Sequence, residues 1–447
     1  MALAGSELGL AWALPFAGML LSIAVMPLAA PTVWHHHFGK IAAGWALALL
    51  LPFAWQFGLP ATGGVVAHTV IEEYIPFTVL LCALYTTAGG IFVRGNLHGS
   101  PALNVLLMLI GSALASVMGT TGASMLLIRP LIRANDNRKH NAHVVVFFIF
   151  IVSNVAGSMT PLGDPPLFLG FLQGVSFFWT VSHLVPESSF MLFGLLALFW
   201  LIDSYYYRHE GVRPVDPTPD TPRLGLEGLI NLLPLALAVG LVLLSGTWKP
   251  GVVFEIAGSH VPLQALVRDL GLVGVTLLSL AITPQGVRAK NQFSWAPMQE
   301  VAKLFIAIFI TMVPVIAMLK AGPDGVFAGL SRLLSTPDGQ PSPWAYFWLT
   351  GGLSSVLDNA PTYLAFFNLA GGDAQLLMTE RATTLAAISA GSVFMGAMTY
   401  IGNAPNFMVK AIAEERGVRM PSFGAYLLWS GTLMLPLLFL MALIWMR

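Results

Sequence analysis

Long apolar runs, separated by short polar or glycine-rich stretches, fill the chain from end to end. They lie near residues 8–30, 38–58, 74–96, 142–173, 188–207, 226–246, 268–284, 303–320, 380–413 and 423–446. Each is close to or beyond the roughly 20 apolar residues with which a helix crosses a bilayer core. Two more apolar segments, 101–134 and 342–372, are interrupted in the middle, by GTTGAS (119–124) and LDNAPT (357–362). Such a break strands backbone N–H and C=O groups, which hydrocarbon tolerates only where protein or water covers them. The pattern predicts two re-entrant hairpins, each entering and leaving on one side, with two full spans apiece as the alternative. The fold class is that of an all-α polytopic membrane protein.

Composition supports the same solvent. The chain is 56% hydrophobic and 9% charged, against about 25% charged residues in a soluble domain, so lipid is its first partner. Acidic and basic residues number 21 each, and nothing in that balance calls for nucleic acid. The single cysteine, Cys82, sits in an apolar run and reads as a small buried hydrophobe. Residues 8–30 lack a preceding basic region and a small-residue cleavage site, and read as a retained span. With ten spans and two hairpins, one side receives 15 of the 21 basic residues. That side is expected to be cytoplasmic, with both termini on the other side of a cell (inner) membrane. The long polar, proline-rich stretch 208–225 (RHEGVRPVDPTPDTPRLG) reads as a cytoplasmic linker between two halves, 1–207 and 226–447.

The halves carry an internal repeat. GSMTPLGDPPLF (157–168) aligns with GAMTYIGNAPNF (396–407) at an offset of 239 residues, and Ser116-Val117 aligns with Ser355-Val356 at the same offset. Thr120 then falls on Asn359, and Gly119 on Asp358. Each half has five spans and one hairpin. An odd number of spans turns the second copy over in the membrane, which is the inverted-repeat plan of many secondary transporters.

Gly157, Pro161, Gly163, Pro165 and Pro166 should break the helix of 142–173, and Gly396, Gly402 and Pro405 that of 380–413. Freed carbonyls, hydroxyls and a carboxylate suit a small hard cation, whereas exposed helix N-termini suit an anion. Asp164 in the first break and Asp358 in the second hairpin tip are acids at bilayer depth. A charge there costs at least about 2.5–3.5 kcal/mol, so function is the default reading, and both are candidate Na+ ligands for which protons compete. The plainer alternatives are that Asp164 caps the half-helix after it and Asp358 satisfies backbone at its tip. Asn359, Asn403 and Asn406 are caps or ligands on the same footing. Ser116, Thr120, Thr121, Ser153, Asn154, Thr160, Gly163, Ser355, Thr362, Thr399 and Gly402 complete the candidate substrate or ion site. Asp203 and Asp269, near span ends, are expected to be hydrated. His35-His36-His37 reads as a solvated tract in a short cytoplasmic loop, and Glu72-Glu73 as a solvated outer rim. The chain has no phosphate-cradling loop, no metal-spaced Cys/His cluster and no nucleophile–base pair. It therefore reads neither as an ATP-driven pump nor as an enzyme, and it implies no cofactor beyond Na+ and H+ as transported or coupling ions.

At the breaks, SNVAGSMTPLGDPP (153–166), SSVLDNAPT (354–362) and MTYIGNAPNF (398–407) resemble the ion transporter superfamily. It includes NhaD-type sodium/proton antiporters, arsenite permeases, citrate transporters and divalent-anion/sodium symporters. The resemblance implies a homodimer whose protomers pair a scaffold with a mobile part that carries substrate in an elevator-like movement. The acids in the TPLGD and LDNAP motifs are similar to those of the antiporters, which implies cation and proton roles for Asp164, Thr160, Asp358 and Asn359. TYIGNAPN looks closer to the permeases, with Asn403 where the first half has Asp164, and GTTGAS lacks the acid of the second tip. The leading expectation is Na+/H+ antiport by alternating access. Cation- or proton-coupled transport of citrate, a dicarboxylate or another oxyanion is the alternative, and a channel is a third class.

Overall fold

Strongly apolar segments with little to satisfy their backbone outside themselves become helices, because in lipid a helix closes its own hydrogen bonds. In the computed structural model, which describes residues 3–211, 215–218 and 225–447, helix dominates throughout. Among the described residues nine helices are long and apolar enough to cross a membrane. Eight match expected spans, from Leu10–Ala29 to Phe423–Trp445, and the ninth is the interrupted segment Pro101–Ala134. Their ends differ from the sequence reading where polar residues continue a helix. Pro31–Phe57 starts earlier than expected, so His35, His36 and His37 lie exposed on its first turns and not in a loop. Leu59–Gly89 likewise runs through Glu72 and Glu73, which sit in a π-helical turn at Thr69–Tyr74. Two short antiparallel ribbons accompany the helices: Phe92–Arg94 with Gly225–Glu227, and Val253–Ile256 with Ser259–Pro262. Of the linker expected at 208–225, residues 212–214 and 219–224 lie outside the described residues.

Segment 101–134 does not cross the molecule. Gly119 adopts φ 81° and ψ 153°, outside the helical region, and the chain reverses there. Its two ends meet: Gly99 N donates to Ala134 O at 2.5 Å, and Asn104 and Asn135 exchange amide hydrogen bonds of 2.9 and 2.8 Å. The second interrupted segment consists of Pro343–Ser354 and Asn359–Leu369, whose arms touch through Tyr346 and Phe366. Both are hairpins.

The helices pack in two groups. One unites the helices of 10–89 with those of 229–320; the other unites the hairpins and interrupted helices with Phe177–His209 and Leu435–Trp445. The groups meet where Ile75–Gly89 lies against the first hairpin and Ala296–Lys320 against the second. At the centre of the second group is Ala142–Ile151, a helix apolar on every face and buried from His143 onwards. A helix of that kind belongs inside a protein and not at its surface.

An ionic cluster locks the mouth of the first hairpin. Asp203 is fully buried and takes Arg138 Nη1 at 2.6 Å, His143 Nε2 at 2.8 Å and Asn104 Nδ2 at 3.0 Å. Arg138 Nε also lies 3.5 Å from Glu210 Oε2. The expectation of a hydrated Asp203 is thus overturned, because the segment after the hairpin folds Arg138 and His143 over it. Asp269 is half-buried against Arg268, whose Nε lies 2.7 Å away. Removing one member of a buried ion pair strands the other, at a cost of about 3–5 kcal/mol. Asp203→Ala is therefore expected to lower thermal stability by about that amount, and Asp203→Leu combined with Arg138→Met by less. Thermal unfolding in detergent checks both.

Candidate functional site

The two interrupted helices are built alike. Ala142–Ile151 gives way to a short 3-10 turn at Val155–Ser158 and resumes as Pro165–Leu172. Ala382–Phe394 gives way to Met395–Met398 and resumes as Ala404–Glu415. In the first half Thr160 Oγ1 donates to Ser116 O at 2.5 Å, Ser116 Oγ to Ala156 O at 3.2 Å, and Thr160 Oγ1 accepts from Leu162 N at 3.2 Å. In the second, Thr399 Oγ1 donates to Ser355 O at 2.5 Å, Ser355 Oγ to Met395 O at 3.1 Å, and Thr399 Oγ1 accepts from Ile401 N at 3.2 Å. Every partner is displaced by 239 residues. The repeat therefore exists as hydrogen bonds and not only as letters. These four side chains tie each hairpin tip to the neighbouring break and satisfy backbone that the interruption frees. Gly163 and Gly402 allow the close approach: a Cβ at either would run into the carbonyl oxygen of Gly157 or Gly396.

Four half-helices start at one place. Thr120 follows the Gly119 turn, Asn359 opens the second arm of the other hairpin, and Asp164 and Asn403 hold the N-cap positions of Pro165–Leu172 and Ala404–Glu415. Neither Asp164 nor Asn403 spends its side chain on its own helix. Asp164, 1% exposed, instead accepts from Thr120 Oγ1 at 2.9 Å, from Asn403 Nδ2 at 3.4 Å, and from Asn359 Nδ2. One carboxylate thus joins both hairpin tips and the second break. Asn403 Nδ2 also reaches Ser153 O at 3.2 Å and Asn154 Oδ1 at 3.1 Å. Asn154 Nδ2 donates to Asn406 Oδ1 at 2.6 Å, and Asn406 Nδ2 to the carbonyls of Gly396 and Thr399, both at 2.9 Å. Among the described residues no Lys, Arg or His forms an ion pair with Asp164.

Asn359 Oδ1 is buried beside this network with no hydrogen-bond partner. A buried acceptor without a donor is costly, and a cation or a protonated carboxyl would satisfy it. Asp358 makes its hydrogen bonds locally. It is half-buried, and its Oδ1 caps the helix by accepting from Ala360 N at 3.1 Å, while its carbonyl accepts from Thr362 Oγ1 at 2.9 Å. Thr121 is half-buried next to Thr120. Ser124 escaped the sequence reading: its hydroxyl shares a 2.9 Å hydrogen bond with Ser153 Oγ. One helical turn from Thr120 within GTTGAS, it shares that residue's face, which was the available signal.

The sequence matches, over residues 5–446, the family described as "Putative citrate transport". The chain belongs to that family. It is 23% identical over 333 residues to an uncharacterized transporter of Mycobacterium tuberculosis, covering 73% of each chain. It is 25% identical over 331 residues to a 46 kDa membrane protein of Mycobacterium leprae, covering 72% of this chain and 71% of that one. A polytopic helical protein with two buried breaks is therefore a membrane transporter.

If the glycine contacts set the site, Gly163→Ala must push two backbone segments apart. Overpacking of that kind costs about 1–3 kcal/mol, so its melting temperature is expected to fall well below that of Gly44→Ala, a position with open space around it.

Proposed function

We propose that this transporter exchanges Na+ for H+ at Asp164 by alternating access between two oppositely inserted halves. The observation that carries the reading is a buried carboxylate held by hydroxyl and amide donors, with no cationic side chain among the described residues paired to it. Such a group is compensated by whichever small cation arrives. A proton converts it to a neutral acid, while Na+ takes carboxylate oxygen together with the neighbouring oxygen acceptors. Asn359 Oδ1 and Asn154 Oδ1 are amide candidates, and Ser153 O a backbone one. Because the two ions need the same carboxylate, loading one releases the other. Thr120, Asn359 and Asn403 come from three elements of one packed group, so the occupancy of Asp164 is linked through its bonds to how that group fits together. Asp358, with its helix capped, lies at the hairpin tip where an ion would pass. The superfamily plan adds a homodimer and an elevator-like stroke to this reading, and the bias of basic residues adds a cytoplasmic basic face.

A second reading rests on the four helix N-termini and on the family's description. Their partial positive charges favour an anion, and a citrate-like carboxylate carried with cations would use them. The absence of a paired Lys or Arg at Asp164 among the described residues weighs toward the cation.

In proteoliposomes with an internal pH dye, added Na+ or Li+ is expected to move protons, and Asp164→Asn to abolish the signal. Asp358→Asn keeps the helix cap and is expected to weaken apparent Na+ affinity while exchange continues. Proton silence together with Na+-dependent uptake of labelled citrate by the folded wild type would replace exchange with carboxylate transport.

A further inference from the structure

Two cavities adjoin at the end of the molecule that carries the first hairpin's mouth. The first is an apolar groove of about 650 Å³ between Phe177–His209 and the helical segment Phe423–Trp445. Leu201, Leu428 and Leu433 line it, and Leu201 and Leu428 are 59% and 69% exposed, a surface that lipid chains would cover. The second cavity, about 520 Å³, is cationic: Arg138, Lys139, Arg416 and Arg419 line it, against Asp136 as its acid. Tyr206 and Trp429 line both. Such amphipathic rings favour the boundary between hydrocarbon and headgroups. The join between apolar groove and basic cavity therefore lies where a lipid's glycerol region would lie.

The basic cavity has unspent donors. Arg138 is 3% exposed, yet its Nη2 has no hydrogen-bond partner. Among the described residues Lys139, Arg416 and Arg419 form no ion pair. Lys139, Arg416 and Arg419 outnumber Asp136 in this lining, and an anion would relieve their mutual repulsion. We propose that an anionic phospholipid binds here, its acyl chain in the groove and its phosphate among Arg138, Lys139, Arg416 and Arg419. Groove, aromatic boundary and basic cavity follow one another in the order of chain, glycerol and phosphate. A free phosphate would use only the last. The site would tie the segment after the first hairpin to the helices at the rim of the molecule, so bound lipid would stabilise that junction.

The test uses the purified full chain in detergent, with phosphatidylglycerol, phosphatidylcholine or inorganic phosphate as probes. Ligand that binds the native state raises its melting temperature. Phosphatidylglycerol is expected to stabilise more than phosphatidylcholine, and phosphate not at all. In the variant Lys139→Gln, Arg416→Gln, Arg419→Gln, apparent affinity for phosphatidylglycerol is expected to fall at least tenfold, with the phosphatidylcholine response unchanged. A photoactivatable phosphatidylglycerol should label peptides 198–209 and 424–433 of the wild type, which decides the matter if the variant does not fold. Equal shifts with phosphatidylcholine would remove the headgroup site, and equal shifts with phosphate would make it a free-anion site. Labelling elsewhere, or protection of both peptides in a dimer because a second copy fills the groove, would equally overturn the proposal.

Discussion

Everything in the core follows from one constraint: backbone that leaves the helical path at membrane depth must find its hydrogen bonds in the protein. Each half answers in the same way. A threonine hydroxyl in the broken helix donates to a serine carbonyl at the hairpin tip, and that serine's hydroxyl donates back to the break. The pairing fixes hairpin against helix, and glycine at 163 and 402 lets the backbones close in. Once the two braces exist, the half-helices beyond them must begin at neighbouring points. The convergence of Thr120, Asp164, Asn359 and Asn403 is thus a consequence of satisfying backbone as much as of building a site.

Duplication explains the frame, and divergence explains the chemistry. Asp164 and Asn403 occupy equivalent N-cap positions, and neither caps its own helix. With an acid at both, two carboxylates would face each other in a dry space and repel strongly. Asparagine at 403 turns the second position into a donor, and its Nδ2 serves Asp164, Asn154 and Ser153 together. Thr120 and Asn359 are likewise equivalent and likewise donate to the one acid. Three of the four corners became donors for the fourth.

Much of this was legible in the sequence because discontinuities at depth announce themselves. Proline and glycine inside apolar runs marked the breaks, and the constant offset paired them, so Thr160, Thr399, Ser116 and Ser355 could be named before any contact was seen. The division of labour between the acids was less accessible. Asp164 and Asp358 both sit beside a break, and only the fold shows that the first reaches three other elements while the second caps its own helix. Ser124 was hidden for a related reason, since its partner Ser153 lies on a different element. Helix ends are hidden where polar residues continue a helix, as at His35–His37, because polarity there does not mark the end of the helix. Asp203 is hidden in the same way: proximity to a span end suggests water, and long-range closure by Arg138 and His143 leaves no trace in local pattern.

Asp203 and Asp164 make the decisive comparison. Both are buried to 1% exposure or less, and both accept hydrogen bonds from three side chains. Asp203 has a guanidinium 2.6 Å away, with an imidazole and an amide completing its shell. Its charge is compensated by the chain itself, so nothing needs to arrive and the cluster can serve as a permanent fastening. Asp164 has only a hydroxyl and two amides, which orient a carboxylate without neutralising it. Among the described residues the fold buries an arginine against Asp203 and pairs none with Asp164. Equal burial with unequal compensation is the physical distinction between these two acids, and the exchange proposed at Asp164 rests on it.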